Sequence, residues 1–171
     1  IYTDGSCLDN GKPHARAGAG VYQGENSSRN LVLRVPDEQT NNRGECLAIL
    51  VALAKASPDR PLRIYSDSEY AIRSVTWWAP KSESLGWQCA NGDLLKDCVA
   101  WMKARSAAVY LEHITAHSGN WGGDAADRLA KLGTAEAAAG PYMHLRIQPT
   151  DAHQKLEGPT LNVPKVTTNL P

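Results

Sequence analysis

Apolar and polar positions along the chain alternate in two rhythms, and the switches between them divide most of it into short elements. Ile1 to Thr3, Ala19 to Tyr22 and Leu31 to Val35 are strand-like, separated by turn-rich stretches at Asp9 to Pro13 and Gly24 to Asn30. They predict a three-stranded antiparallel meander. Thr40-Asn41-Asn42 then supplies capping residues, and Arg43 to Ala56 is apolar around most of a helical circumference, which predicts a buried helix. Past the breaker at Pro58 to Pro61, Arg63 to Ser66 is a short strand. A helix follows from about Ser68 to Trp78, ended by Pro80. Asn91-Gly92-Asp93 caps a further helix near Leu94 to Arg105, Val109 to Thr115 alternates as a strand, and Gly123 to Leu132 is helical, stopped by Gly133.

Three strands, helix, strand, helices, strand and helix make an α/β (α+β mixed-sheet) domain. A strand that returns through a helix lies parallel to its partner, so the five-stranded sheet is mixed and flanked by helices. Residues 134–171 differ in character: they hold five of the ten prolines and one strand-like stretch, Met143 to Ile147. Residues 1–133 are therefore expected to form one folded domain, and 134–171 a Pro-rich tail or linker able to dock on it. The chain opens on Ile1 inside a strand-like run and reads as a piece of a longer polypeptide.

Composition narrows the classes. The longest apolar run, Cys46 to Ala54, is far short of the roughly 18 residues of a membrane span. Cys7, Cys46, Cys89 and Cys98 show no C-x-x-C pair and no partnering His-x3-His, so buried or half-buried free thiols in a reducing, intracellular compartment are expected. With 18 basic and 18 acidic side chains the net charge is zero, which argues at first against a polyanionic partner.

Four acids change that reading. Asp4 lies at the end of the first strand, Glu45 in the first turn of the apolar helix, Asp67 at the end of the fourth strand, and Asp127 among Ala125, Ala126, Leu129 and Ala130. An isolated buried carboxylate costs several kcal/mol unless paired or protonated, and divalent cations with a preference for oxygen would balance such a set. Asp124, four residues before Arg128, reads instead as an ordinary helical ion pair. Without the four acids, 14 acidic residues remain against 18 basic ones, and two divalent cations would restore the same surplus.

The words around these acids are Tyr2-Thr3-Asp4-Gly5-Ser6-Cys7, Thr40-Asn41-Asn42-Arg43-Gly44-Glu45, Tyr65-Ser66-Asp67-Ser68, and His117-Ser118-Gly119 followed by Ala126-Asp127-Arg128-Leu129-Ala130. In identity, order and spacing they resemble the ribonuclease H type 1 family over about residues 1–133. The resemblance implies a ribonuclease H-like fold and an endoribonuclease that hydrolyses the RNA strand of RNA/DNA hybrids, largely without sequence preference, leaving 5′-phosphate and 3′-hydroxyl ends. It implies two Mg²⁺ ions, replaceable by Mn²⁺, held by Asp4, Glu45, Asp67 and Asp127, with in-line displacement at the phosphate. His117 matches the family histidine of the loop before the last helix, a group suited to proton traffic or product departure.

By the same resemblance, Cys7, Asn10, Asn41 and Asn42 match contacts on the RNA side and in the groove, where 2′-hydroxyls line one strand. Thr40 and Asn91 match the pocket for a DNA phosphate, and Trp78 an aromatic beside the DNA sugar, with a core-facing Trp78 as the competing reading. Three features depart from the family pattern. Glu38 stands where relatives often carry an arginine, and Glu69 where many carry a glutamine. The segment between Trp78 and Asn91 is short, with Lys81 beside Glu83 in place of a Lys-rich protrusion. These predict weak binding by the isolated, monomeric domain. They fit a retroelement polyprotein in which a reverse transcriptase domain supplies affinity; a free-standing cellular enzyme is the competing source. A non-catalytic nucleic-acid-binding module on the same fold would usually lack an acid. A 3′–5′ exonuclease would carry Asp-x-Glu where Asp4-Gly5-Ser6 stands, and a purely structural interaction domain leaves the acids unexplained.

Overall fold

The computed structural model describes residues 1–116, 118–145 and 166–171. It opens with the predicted meander: β1 (Tyr2–Leu8), β2 (Arg16–Tyr22) and β3 (Leu31–Arg34), each antiparallel to the next. Next come α1 (Asn41–Lys55), β4 (Leu62–Ser66), α2 (Glu69–Val75), α3 (Ala79–Ser84), α4 (Gly92–Ala104), β5 (Val109–His113), α5 (Trp121–Ala135) and β6 (Val166–Thr168). The sheet order is β3-β2-β1-β4-β5-β6, with β1, β4, β5 and β6 mutually parallel. It is the expected mixed sheet with one strand more.

α1 carries the core. Eleven consecutive residues from Arg43 to Leu53 are buried, as its all-round apolar sequence predicts. The Thr40 hydroxyl accepts the Arg43 N–H at 3.1 Å and so caps its start. α4 lies alongside, presenting Leu94, Leu95, Cys98, Val99 and Met102 to the same core. α5 covers the opposite face over β1 and β2. It can do so because Gly18 and Gly20 leave room: a Cβ there would stand 2.2 Å from the Ala130 carbonyl oxygen and 2.3 Å from that of Ala126.

Several expected boundaries move. α2 ends at Val75, and Pro80 opens α3 instead of closing α2, because proline is well tolerated in a first helical turn. Gly133 does not stop α5, which runs to Ala135. That glycine is a close-packing position, where a Cβ would stand 2.3 Å from the Leu33 carbonyl oxygen. Asp4 is mid-strand in β1, since β1 continues to Leu8 on the β2 side. Asn91 does not cap α4 with its side chain; it adopts φ 59° and its amide donates to the Tyr70 hydroxyl at 3.1 Å. Cys46 and Cys98 are buried and Cys7 half-buried as expected, whereas Cys89 is exposed; all four are free thiols.

Beyond α5 the chain is held at several points. Arg16 and Arg34 donate to carbonyls of Thr134, Ala135 and Glu136 at the C-terminus of α5. The Tyr142 N–H donates to Asp37, and its hydroxyl donates to Asp97 on α4, which also faces His144 Nδ1 at 2.9 Å. Trp101 Nε1 donates to the Leu145 carbonyl at 2.6 Å. Of the strand-like stretch Met143 to Ile147, residues 143–145 are not in a strand and the other two lie outside the described residues. Among the described residues, no helix is long and apolar enough to cross a membrane.

Candidate metal centre

The last paired residues of the parallel strands β1 and β4 are Thr3 and Ser66. Asp4 and Asp67, one residue further along each strand, therefore stand side by side where the two backbones part. Glu45 reaches them because two glycines let α1 lie directly on β1. A Cβ on Gly5 would sit 2.3 Å from the Glu45 nitrogen, and one on Gly44 would sit 2.6 Å from the Gly18 carbonyl oxygen. The outcome is tight: carboxylate oxygens of Asp4, Glu45 and Asp67 all lie within 4.8 Å of one another. Asp4 is 8% exposed and Glu45 3%.

Three carboxylates this close cannot all ionise at little cost. Burial, then the charges of Asp67 and Asp127, push Asp4 up to about 7, against a favourable hydrogen bond with Glu45. Glu45 is raised well above the ordinary range, first by burial and then by the charges of Asp4 and Asp67. Its Oε1 accepts from Asn41 Nδ2 at 3.4 Å, but its buried Oε2 has no hydrogen-bond partner among the described residues. An orphaned carboxylate oxygen inside an all-oxygen donor set fits a hard divalent cation, which would supply the missing partner and the missing positive charge.

Asp127 lies outside this tight triad but beside it. It lines one cleft with Asp4, Asp67, Asn120 and Asp124 and a second with Asn41, Glu45 and Ser68. Lys131, one turn on, pairs with it at 2.7 Å. The expected Asp124–Arg128 pair is not formed: Asp124 turns into the first cleft, and Arg128 is exposed. His117 lies outside the described residues.

Of the remaining predicted positions, Asn41 lines the second acidic cleft. Cys7 Sγ donates to the Gln39 carbonyl at 3.4 Å, and Asn10 Oδ1 accepts the Asn41 N–H at 3.3 Å. Asn42 is exposed on the first turn of α1. Trp78 is 47% exposed and tilts against Tyr70, so the core-facing reading of it is wrong. Asn91 lines a separate pocket with Asp37, Glu38, Arg43 and Asp93. Glu69 is held by Arg73, one turn on.

Asn120 and His113 had no assigned part in the sequence, and Asp93 only that of a helix cap. Asn120 accepts the N–H groups of Gly122 and Gly123 and starts α5; an Asn just ahead of a helix is a capping signal that the glycines after it mask. Asp93 holds Arg43 through two hydrogen bonds, a pairing between distant segments that no local pattern announces. His113 Nε2 lies 3.1 Å from the Asp67 carbonyl oxygen.

An acidic cluster where parallel strands of a mixed sheet diverge, with one helix packed on each side, defines a ribonuclease H-like protein. The RNase H family model matches residues 1–135, and the chain belongs to that family. It is 41% identical over 143 residues to a ribonuclease H of Schizosaccharomyces pombe, covering 80% of this chain and 53% of that one, so it spans about half the relative's length. Among solved structures, LC9-RNase H1, described as a type 1 RNase H with the type 2 active-site motif, aligns at TM-score 0.63 with 23% identity over 78% of this chain and 70% of that one. The Prototype Foamy Virus protease-reverse transcriptase aligns at TM-score 0.62 with 24% identity over 80% of this chain and 20% of that one. These two likenesses speak to the fold.

Proposed function

We propose that this chain is a divalent-metal-dependent endoribonuclease that hydrolyses the RNA strand of RNA/DNA hybrids, leaving 5′-phosphate and 3′-hydroxyl ends. The observation that carries the reading is Glu45 Oε2, without a hydrogen-bond partner among the described residues, within the Asp4–Glu45–Asp67 cluster of a ribonuclease H-family chain. Asp4, Glu45, Asp67 and Asp127 would hold two Mg²⁺ or Mn²⁺ ions. When bound, these supply charge neutralisation, an activated water nucleophile and stabilisation of the leaving oxygen. The chain's own part is to place four oxygen donors on three rigid elements and a strand end, so that no reorganisation is needed when phosphate arrives. His117 would carry protons or help product leave.

Substrate would lie across the α1 N-terminus. Asn41 lines the acidic cleft and Asn10 accepts its N–H; together with Cys7 and Asn42 they would read 2′-hydroxyls without selecting bases. Thr40 and Asn91 would flank the DNA phosphate, and the exposed Trp78 would pack on a deoxyribose. Glu38 and Asp93 make that phosphate pocket acidic, which supports weak binding by the domain alone. A polyprotein whose reverse transcriptase domain adds affinity would fit that weakness.

The test is cleavage of a labelled RNA/DNA hybrid, with double-stranded RNA and DNA as controls, in Mg²⁺ or EDTA. Internal cuts confined to the hybrid's RNA strand, lost in EDTA and in Asp67→Asn, are expected. Binding without cleavage in both Mg²⁺ and Mn²⁺ would leave a non-catalytic binding module instead.

A further inference from the structure

β6 lies beyond the stretch that the family model matches, yet the residue after it, Asn169, is bonded to His113, whose ring faces the Asp67 carbonyl. The β5–β6 ladder ends at Leu111 and Thr168. One residue on, the Asn169 side chain takes the ladder over. The His113 N–H donates to Asn169 Oδ1 at 2.6 Å, and Asn169 Nδ2 donates to the His113 carbonyl at 3.0 Å. A primary amide offers the same donor and acceptor as a peptide group, so this side chain serves His113 as an extra strand residue would. Asn169 is itself fixed from both sides. Thr168 belongs to the ladder, and Leu170 packs on the main core while its N–H donates to Thr168 Oγ1 at 3.1 Å.

His113 passes this order on. Its half-buried ring presents Nε2 to the Asp67 carbonyl, an acceptor, so that nitrogen carries the proton. Next to it, the Ile114 N–H donates to the Ser66 carbonyl at 3.0 Å. Two successive carbonyls at the end of β4 are thus tied to the end of β5, and the second belongs to an acid of the cluster. Of these two ties, the ring contact depends on a side chain whose backbone would face an open sheet edge without Asn169.

We propose that Asn169 is a positioning residue for the Asp67 carboxylate, acting through the imidazole of His113. The proposal rests on the reading of the acid cluster as a metal centre. With the amide gone, His113 loses both outward backbone partners, its ring leaves the Asp67 carbonyl for part of the time, and the carboxylate spreads over a wider range of positions. Groups that orient metal ligands from behind act in this way on metal affinity.

The test uses the full 171-residue chain. Mn²⁺ affinity is measured by titration calorimetry, and the His113 ring nitrogens are followed by NMR. The wild type is expected to show the Nε2-protonated ring; Asn169→Ala should average the tautomers and weaken Mn²⁺ binding about tenfold, the lower end of what such outlying partners contribute. His113→Ala should weaken it equally, and the double variant no further, because the two residues act in series. Should Asn169→Ala fail to fold, Asn169→Ser keeps one hydrogen-bonding group and should give a smaller loss in the same two readouts. Unchanged Mn²⁺ affinity in the Asn169 variants, or losses that add in the double variant, would overturn the proposal. Absence of Mn²⁺ binding by the wild type would instead overturn the metal-centre reading, and this proposal with it.

Discussion

Arg43, in the first turn of α1, and Asp93, in the first turn of α4, are joined by two hydrogen bonds of 2.9 and 2.6 Å. Arg43 is 3% exposed; its guanidinium also donates to the Pro36 carbonyl, and Asp37 lies 3.4 Å from it. One buried cation therefore fastens the β3–α1 connection and the starts of two helices. Truncating Asp93 leaves that cation short of its main partner. Asp93→Ala should cost about 2 kcal/mol of stability in urea unfolding, within the usual range for hydrogen bonds to charged groups. A loss below about 0.5 kcal/mol, ordinary for an exposed ion pair, would show that water replaces the carboxylate.

Gly5 is a second point where one atom decides the site. Its missing Cβ is what lets the Glu45 backbone approach β1. Gly5→Ala forces strand and helix apart, at a cost of about 1–3 kcal/mol for overpacking. It also moves Glu45 away from Asp4, so cleavage should fall far more than stability does. Equal hybrid cleavage by folded Gly5→Ala and wild type would show that the close approach is not needed for chemistry.

The acid cluster makes the metal-free protein sensitive to pH. Asp4 titrates at about 7 in the folded chain against 3.8 for the free group. Between those values the folded state keeps a proton that the unfolded state has released, so stability falls as pH rises through the window, by an amount on the order of a few kcal/mol. The raised Glu45 acts in the same direction. The thermal midpoint in EDTA should drop from pH 5 to pH 8, and Mg²⁺ should recover most of the loss at pH 8. Glu45→Gln should flatten the fall while abolishing cleavage. A midpoint in EDTA that rises over this range would contradict the raised titration of both acids.

Glu38 lies in the pocket with Asp37, Arg43, Asn91 and Asp93. Glu38→Arg should tighten hybrid binding and steepen its dependence on salt by roughly one unit of log–log slope, as one further phosphate contact does. Binding measured from low to moderate salt checks this. No change in either quantity would place the DNA strand elsewhere.

The meander, the buried helix and the order of the elements were legible because each rests on local period and on a breaker, such as Thr40 ahead of α1 or the prolines between α1 and β4. The acids stood out through their company: Glu45 lies in an apolar helix where solvation is denied, and Asp127, half-buried, lies among alanines. α3 was hidden because Trp77, Trp78 and Pro80 look like an ending, while the proline in fact opens a new turn. Gly133 looked like a stop because close packing against β3 and a left-handed cap use the same residue for different reasons. β6 has three residues and no period to read, and the Asn169 and Asp93 contacts join segments 56 and 50 residues away in sequence.

β6 has one more effect, on the surface of the sheet. Without it, β5 would present a row of unpaired backbone donors and acceptors to any other extended chain, the usual starting point for edge-to-edge association. A strand of three residues satisfies that row, and it is itself too short a template for another chain to extend. The last six residues thus turn an open edge of the sheet into a closed one, and guard the domain against its own copies.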